Sequence, residues 1–461
     1  MTAETSTREG RRGTWTRGSR AADVALLVAV LVSGSVSRHA VYTGYGVTIL
    51  VASVVALAVA VSRGAARGVP SRLGVLVALG GALVAQVIKP PYMNVEGRTW
   101  ALRAGVLVCM AVTALAAGLL AGSAVDGRGR RLVALAWTAV GGTGLAYLLM
   151  VPGGRPVIDV WPILQGASLG VVQGRNPYEM TFPGVPPGQV ADCFNYLPGT
   201  FLVPLPGRLL LGDVRYAEAA VLLAGVAALV SLAVRSVAGR EVRAGGAARQ
   251  GAAVAVPIAV LAGVLPGSLY GVQQAWNETV VFGALAGAAV LVAVRRPWWA
   301  AAALAVALCT KQHVVLLLPL WALWPSFGPR RALGAAAGAA AVTLPWFLAD
   351  PGRFWHCVVD FFLDLPARTD SLSIWQLVPG PLRTVAVLLL VAAAYALVLR
   401  AAPRTPGGLL LGCGLVLAAF ALANKQSFLN QWLLASQLVV AGLALVSART
   451  RPTRDVPLPA E

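Results

Sequence analysis

Charge is what this chain has least of. Only 12% of its 461 residues are Asp, Glu, Lys or Arg, and 58% are hydrophobic. Soluble domains carry about 25% charged residues, so a soluble globular protein is excluded. Acids are scarcer than bases, 18 against 37, and lysine is almost missing: Lys89, Lys311 and Lys425 are the three, and every other basic residue is Arg. The five cysteines form no CxxC pair, which argues against a zinc site or a thiol-redox motif. There is no GxxxxGK[ST] loop, no GxGxxG after a strand and no HExxH, so none of those nucleotide or metal sites is present. The scattered acids offer no dedicated cation cage, and neither a metal nor a cofactor is expected.

Long apolar runs are what the chain has instead. A membrane-crossing helix needs about 20 apolar residues, and fourteen such stretches, some short, are read at about 22–37, 41–62, 73–88, 102–122, 132–151, 216–234, 251–266, 279–294, 297–310, 313–327, 332–348, 382–399, 407–423 and 430–447. The first follows a basic start (Arg8, Arg11, Arg12, Arg17, Arg20) with no clean cleavage site after it, and reads as a signal-anchor helix. With the N-terminus inside and the helices alternating, 24 of the 37 basic residues fall on inward segments with 7 of the 18 acids. The surplus charge is therefore mostly orientation, because cytoplasmic loops collect Arg and Lys. Spread over eight segments and never forming one stripe, it does not suit nucleic acid. The expectation is an all-α, multi-pass bundle in the plasma membrane, both termini cytoplasmic. The Ala/Val/Gly/Arg-rich usage is that of a high-GC bacterium.

One segment resists a crossing. Residues 197–211 (LPGTFLVPLPGRLLL) are apolar, but their three prolines and Gly199 oppose a straight helix, and a crossing there would break the later alternation. A juxtamembrane or re-entrant helix is expected, its backbone covered by protein.

Two outward loops are long, about 152–215 and 349–381, and loops of that length in a compact protein are usually functional. They hold Asp159, Glu179, Asp192 and Asp213 in the first and Asp350, Asp360, Asp364 and Asp370 in the second. Asp159 lies just past the fifth helix, beside Trp161. A carboxylate there is either a general base for a hydroxyl or a solvated loop acid. Trp161, Trp346, Trp355 and Trp375 sit at the depth of an interfacial aromatic belt. Gly174-Arg175-Asn176-Pro177-Tyr178 reads as a tight turn. Cys193 and Cys357 fall one in each loop and are placed for a disulfide in an oxidising compartment, whereas Cys109, Cys309 and Cys413 read as buried small apolar residues.

A second informative place lies between Arg296 and Arg330, a helical hairpin with Thr310-Lys311-Gln312-His313 at its outward tip. Both arms are short, so the tip sits sunken, where an ionisable residue is a functional candidate and a lysine suits phosphate. Asn424-Lys425-Gln426 repeats the pattern after the thirteenth helix. Gln273, Gln274, Asn277 and Glu278 form an outward turn whose plainer reading is a helix cap.

Asp159, Trp161, Gly174-Arg175-Asn176-Pro177-Tyr178 and Asn195-Tyr196-Leu197-Pro198 together resemble the first outer loop of GT-C glycosyltransferases. The pattern is most similar to the actinobacterial mannosyltransferases of glycosyltransferase family 87. Gly271, Gln273, Gln274 and Asn277, then Lys311 at a hairpin tip, extend the resemblance over about residues 155–440. The four helices of 22–122 precede the point where the family usually begins, and Tyr196-Leu197-Pro198 stands where Tyr-Pro-Pro is commoner.

The resemblance implies a polyprenyl-phosphate-sugar donor, with mannose as the sugar, and a glycolipid or glycan acceptor of the cell envelope at the outer face of the membrane. It implies Asp159 as general base. Lys311 and His313, with Arg175, would stabilise the departing phosphate. Asn176, Tyr178, Tyr196, Gln273, Gln274 and Lys425 would line the substrate site. The domain organisation that follows is a basic tail (1–21), an extra four-helix membrane segment (22–122), a catalytic membrane domain of GT-C type (123–448) and a cytoplasmic tail (449–461). The competing readings are a lipid-linked-sugar transporter or flippase, which usually shows broken helices and midplane charges, an envelope-polymer ligase, and a non-catalytic scaffold.

Overall fold

The computed structural model describes residues 3–38, 42–88, 99–122, 129–152, 156–183, 185, 192–240 and 246–448. Among them there is no strand. The N-terminal half contains α1 (Ala3–Arg38), α2 (Gly44–Ser62), α3 (Arg72–Ile88), α4 (Thr99–Gly122), α5 (Gly129–Met150), α6 (Val160–Val172), α7 (Gly199–Leu202), α8 (Leu205–Leu211) and α9 (Arg215–Arg240). The C-terminal half contains α10 (Gly246–Val264), α11 (Ser268–Gln273), α12 (Glu278–Ala293), α13 (Pro297–Leu308), α14 (Leu318–Ala322), α15 (Pro329–Ala349), α16 (Pro351–Trp355), α17 (Phe361–Asp364), α18 (Arg383–Ala401), α19 (Pro406–Ala423) and α20 (Leu429–Ser447).

Nine helices among the described residues are long and apolar enough to cross a membrane. Five of the fourteen expected stretches correspond instead to shorter apolar helices: Arg72–Gln86, Val254–Val264, Glu278–Ala293, Pro297–Leu308 and Gln312–Ala322. The protein is thus a multi-pass helical membrane protein. Helix α1 begins at Ala3 and runs through the basic start, and its membrane-length apolar part is Arg17–Ser37; the region 449–461 lies outside the described residues. Residues 197–211 form two short helices, α7 and α8, broken at Val203–Pro204, with Leu209, Leu210 and Leu211 exposed. The proline-rich sequence sets that break.

The bundle has a covered interior and a bare exterior. In α19 and α20, 89% of the membrane-length window is buried, against 17% in α15 and 11% in α18. Exposed Leu388, Leu389, Leu333 and Leu115 face outward, which suits a lipid solvent and would be costly in water. Small residues let the interior helices approach closely: a Cβ on Gly225 of α9 would lie 2.7 Å from the Gly283 Cα of α12.

Contacts between connections sort them into two ends. At one, Arg404 lies 4.9 Å over the Trp324 ring and Trp324 Nε1 donates to the Thr405 carbonyl at 3.0 Å. This end holds the connections that carry Arg330 and Arg331 and Arg400 and Arg404. At the other, the long connections of 152–214 and 350–382 meet the Lys311 turn and the α19–α20 connection: Gly199 N–H reaches Cys309 O at 2.7 Å and Leu372 N–H reaches Ser427 O at 2.7 Å. The candidate site is at this second end.

Candidate functional site

Asp159 stands at the N-terminus of α6, its carbonyl accepting from Ile163 N–H at 3.1 Å. Burial raises its carboxyl above the ordinary carboxylate range, and this outweighs the opposing pull of the backbone N–H groups of Asp159 and Val160 and of the Lys311 and Arg368 charges. A carboxylate so placed is both a better base and closer to neutral pH than a solvated loop acid.

Its neighbour Trp161 is half-buried, with a polar partner for its indole. Trp161 Nε1 donates to the Asp213 carboxylate at 3.2 Å. Asp213 is held by Arg215 through Nε–H at 3.0 Å and Nη2–H at 2.7 Å, and Arg215 Nη1–H reaches the Gln273 carbonyl at 3.1 Å. This chain ties α6 to α9 and α11 and fixes the direction in which Asp159 leaves its helix.

Lys311 occupies the break after α13, where the backbone turns extended before a 3₁₀ stretch over Gln312–Leu317. The expected second arm at 313–327 is therefore not one helix. β-branched Val314 and Val315 and then Pro319 favour a tighter turn before α14. The Lys311 ammonium pairs with Glu278, the first residue of α12, which is almost wholly buried. Asn430 Nδ2 of α20 donates to the same Glu278 oxygen at 2.7 Å. The Tyr196 ring lies under the ammonium, 5.7 Å from its centroid. Burial, then the charges of Asp159 and Glu278, push the Tyr196 hydroxyl up, so it stays neutral. Asp159, Tyr196, Lys311 and Glu278 thus share one electrostatic neighbourhood, built from α6, the α6–α7 loop, the α13–α14 turn and α12.

Several polar atoms around it are buried with no hydrogen-bond partner in the protein: Asn195 Oδ1, Gln273 Oε1, both amide atoms of Asn277 and Glu278 Oε2. Burying such groups unpaired costs free energy. Their concentration beside Lys311 marks a place suited to a hydroxyl-rich or charged ligand.

The frame around the site is stapled. Cys193 and Cys357 are disulfide-bonded with Cα atoms 5.5 Å apart, joining the two long loops. Arg353 adds donors to the carbonyls of Tyr178 at 3.2 Å and Asp192 at 2.6 Å. Between these loops, Gln312 Nε2 donates to Asn195 O at 2.9 Å and Val358 O at 3.4 Å.

Not every expected site residue joins the cluster. Tyr178 is wholly buried against Phe194, Phe201 and Phe354, and its hydroxyl donates to the Tyr196 carbonyl at 2.9 Å, so it supports the Tyr196 backbone. Arg175 is exposed and hydrogen-bonds Gln173, and Asn176 Nδ2 reaches Glu179 at 2.8 Å. Both make their hydrogen bonds within the turn, and the cations whose charges bear on Asp159 are Lys311 and Arg368. Lys425 spends its ammonium on the Leu363 and Leu365 carbonyls at 2.9 and 2.7 Å, so it ties down the second loop. Gln274 Oε1 accepts from Val157 N–H at 3.0 Å, just before Asp159. His313 stacks on Phe420 of α19, ring centroids 6.1 Å apart, one residue beyond Gln312.

Sequence reasoning missed Glu278 as the partner of Lys311, because an acid in the first turn of a helix is ordinary there. It also missed Arg368, one cation in a loop rich in acids. Among the described residues no group of three or more His, Cys, Asp or Glu side chains is placed to hold a metal ion. No family model, curated protein or solved structure matches the chain.

Proposed function

We propose that the protein is a membrane glycosyltransferase that moves a sugar, mannose by the resemblance, from a polyprenyl-phosphate donor to a cell-envelope glycolipid or glycan at the outer face of a bacterial plasma membrane. The observation that carries this reading is the convergence of Asp159 and Lys311, from opposite halves of the chain, beside buried polar groups that lack partners. Asp159 takes the proton from the acceptor hydroxyl as that oxygen attacks the anomeric carbon, and the bond from that carbon to the lipid-phosphate oxygen breaks. Lys311 turns from Glu278 to the departing phosphate and stabilises the charge developing there. The donor carries its own leaving group, which fits a chain without a nucleotide-binding motif. The polar groups gather at one end of the bundle, which favours an enzyme over a transporter, since alternating access calls for midplane sites.

The test is transfer of radiolabelled sugar from polyprenyl phosphate in membranes carrying the protein. Asp159→Asn is expected to keep folding and donor binding but lose about 10²–10⁴-fold in rate, the usual contribution of a general base. Undiminished transfer by that variant would remove Asp159 from the chemistry.

A further inference from the structure

Arg368 is the other cation that acts on Asp159, and nothing in the first loop or the Lys311 turn accounts for it. Its guanidinium grips Asp370 in a fork, Nε–H to Oδ1 at 2.8 Å and Nη2–H to Oδ2 at 2.6 Å. It also lies 4.8 Å over the ring of Phe428. Phe428 stands at the head of α20, two residues before Asn430, and Asn430 binds the Glu278 that holds Lys311. Arg368 and Lys311 are therefore linked through the head of α20, and the charges of both bear on Asp159.

The segment carrying Arg368 is fixed from two sides. Gln426 Nε2 donates to Pro366 O at 2.9 Å and Ile374 N–H to Leu422 O at 2.8 Å, which ties it to the α19–α20 connection and to the last turn of α19. From the other side the backbone N–H of Tyr42, in the connection between α1 and α2, donates to the Asp370 carbonyl at 2.8 Å. The Arg368 side chain stays 54% exposed and gives Asp370 two of its five N–H donors. A planar fork of that kind suits the oxygens of a phosphate better than a point charge does.

We propose that Tyr42, two residues before α2, is part of the site: Tyr42 holds Asp370, Asp370 orients Arg368, and Arg368 is a second cation that takes the lipid phosphate together with Lys311. This gives the N-terminal helices a role as a positioning unit. The identity of the anion rests on the glycosyl-transfer reading above; the placement of Arg368 beside Asp159 does not.

The experiment uses the full-length protein in nanodiscs, with two readouts. The first follows carbodiimide modification of Asp159 across pH by mass spectrometry, since the reagent attacks the protonated carboxyl. Removing a cation disfavours the carboxylate, so Arg368→Gln should move the midpoint to higher pH and Arg368→Lys should leave it near wild type. The second is the Kd for undecaprenyl phosphate. Arg368→Gln should raise it about tenfold or more, the loss of a charge-assisted hydrogen bond. Asp370→Asn separates orientation from charge: loss of an anion alone would tighten binding, whereas loss of positioning weakens it, and weakening is expected. Tyr42→Pro, which removes the N–H, should weaken binding in the same way, and Tyr42→Ala, which keeps it, should not. A wild type that binds no undecaprenyl phosphate, with the Asp159 midpoint still moving in Arg368→Gln, would overturn the anion and leave the placement of Arg368 supported. An unmoved midpoint would overturn the placement. Tighter or unchanged binding by Asp370→Asn and Tyr42→Pro would overturn the positioning role.

Discussion

Lys311 is not a bare cation waiting for a phosphate. Its ammonium is paired with Glu278, whose side chain is 2% exposed against 13% for the lysine. Removing one member of a buried pair strands the other, typically at a cost of about 3–5 kcal/mol, while replacing both is often neutral. Lys311→Met should therefore lower the melting temperature more than Glu278→Gln, because the more deeply buried charge is the one left behind. The double variant should recover most of the loss. A thermal unfolding series in detergent checks this, and equal, additive losses would show that the two do not act as a pair. The consequence for function is that a single Lys311 substitution confounds stability with catalysis, and the double variant is the one in which lost transfer can be assigned to chemistry. At this scale Asp159 and Lys311 were legible in the sequence because an acid in a long loop and a lysine in an arginine-rich chain are conspicuous. Glu278, Arg368 and Asp370 were not, because their meaning lies in partners distant along the chain. The Arg175-Asn176-Tyr178 run was legible as a turn, and a turn is what it forms.

The hairpin tip that carries Lys311 is irregular, a 3₁₀ stretch between two helices, and such a segment needs outside support to hold one position. Gln312 supplies the link. Its amide binds the carbonyls of Asn195 and Val358, and these lie two residues and one residue past the two halves of the Cys193–Cys357 bridge. The disulfide therefore fixes the spacing of the two acceptors that Gln312 requires. Non-reducing peptide mapping should recover a Cys193–Cys357 crosslinked peptide; two free thiols would refute the bridge. A Cys193→Ser/Cys357→Ser variant should insert and fold but transfer sugar more slowly. Gln312→Ala should reproduce much of that loss with the bridge intact. If Gln312→Ala transfers at the wild-type rate, the bridge acts on stability alone. Most helices were legible as apolar runs, and the proline-rich 197–211 as a segment that breaks. The arm at 313–327 was misread because an apolar run of that length satisfies a helix pattern, while Val314, Val315 and Pro319 shift the local balance toward a tighter turn.

The scale of the whole molecule is where the charge surplus belongs. The structure separates the connections into two ends, one with Arg404 against Trp324 and the other with the candidate site. Orientation in the membrane then follows from which end the lipid headgroups and the translocation machinery hold in the cytoplasm, and Arg-rich short loops are the ones held there. Helix alternation alone cannot supply that choice, because turning the bundle over preserves every helix contact. The native cysteines make the test clean: Cys109, Cys309 and Cys413 are buried, and Cys193 and Cys357 are bonded to each other. A thiol reagent that cannot cross membranes should therefore find little background in intact cells. Thr369→Cys, exposed on the second long loop, should react without permeabilisation. Ser326→Cys, exposed beside Arg330 and Arg331, should react only after the membrane is opened. The reverse pattern would place the Asp159–Lys311 site in the cytoplasm, where a donor and acceptor of the outer leaflet could not reach it, and the transfer reading would fail with the orientation.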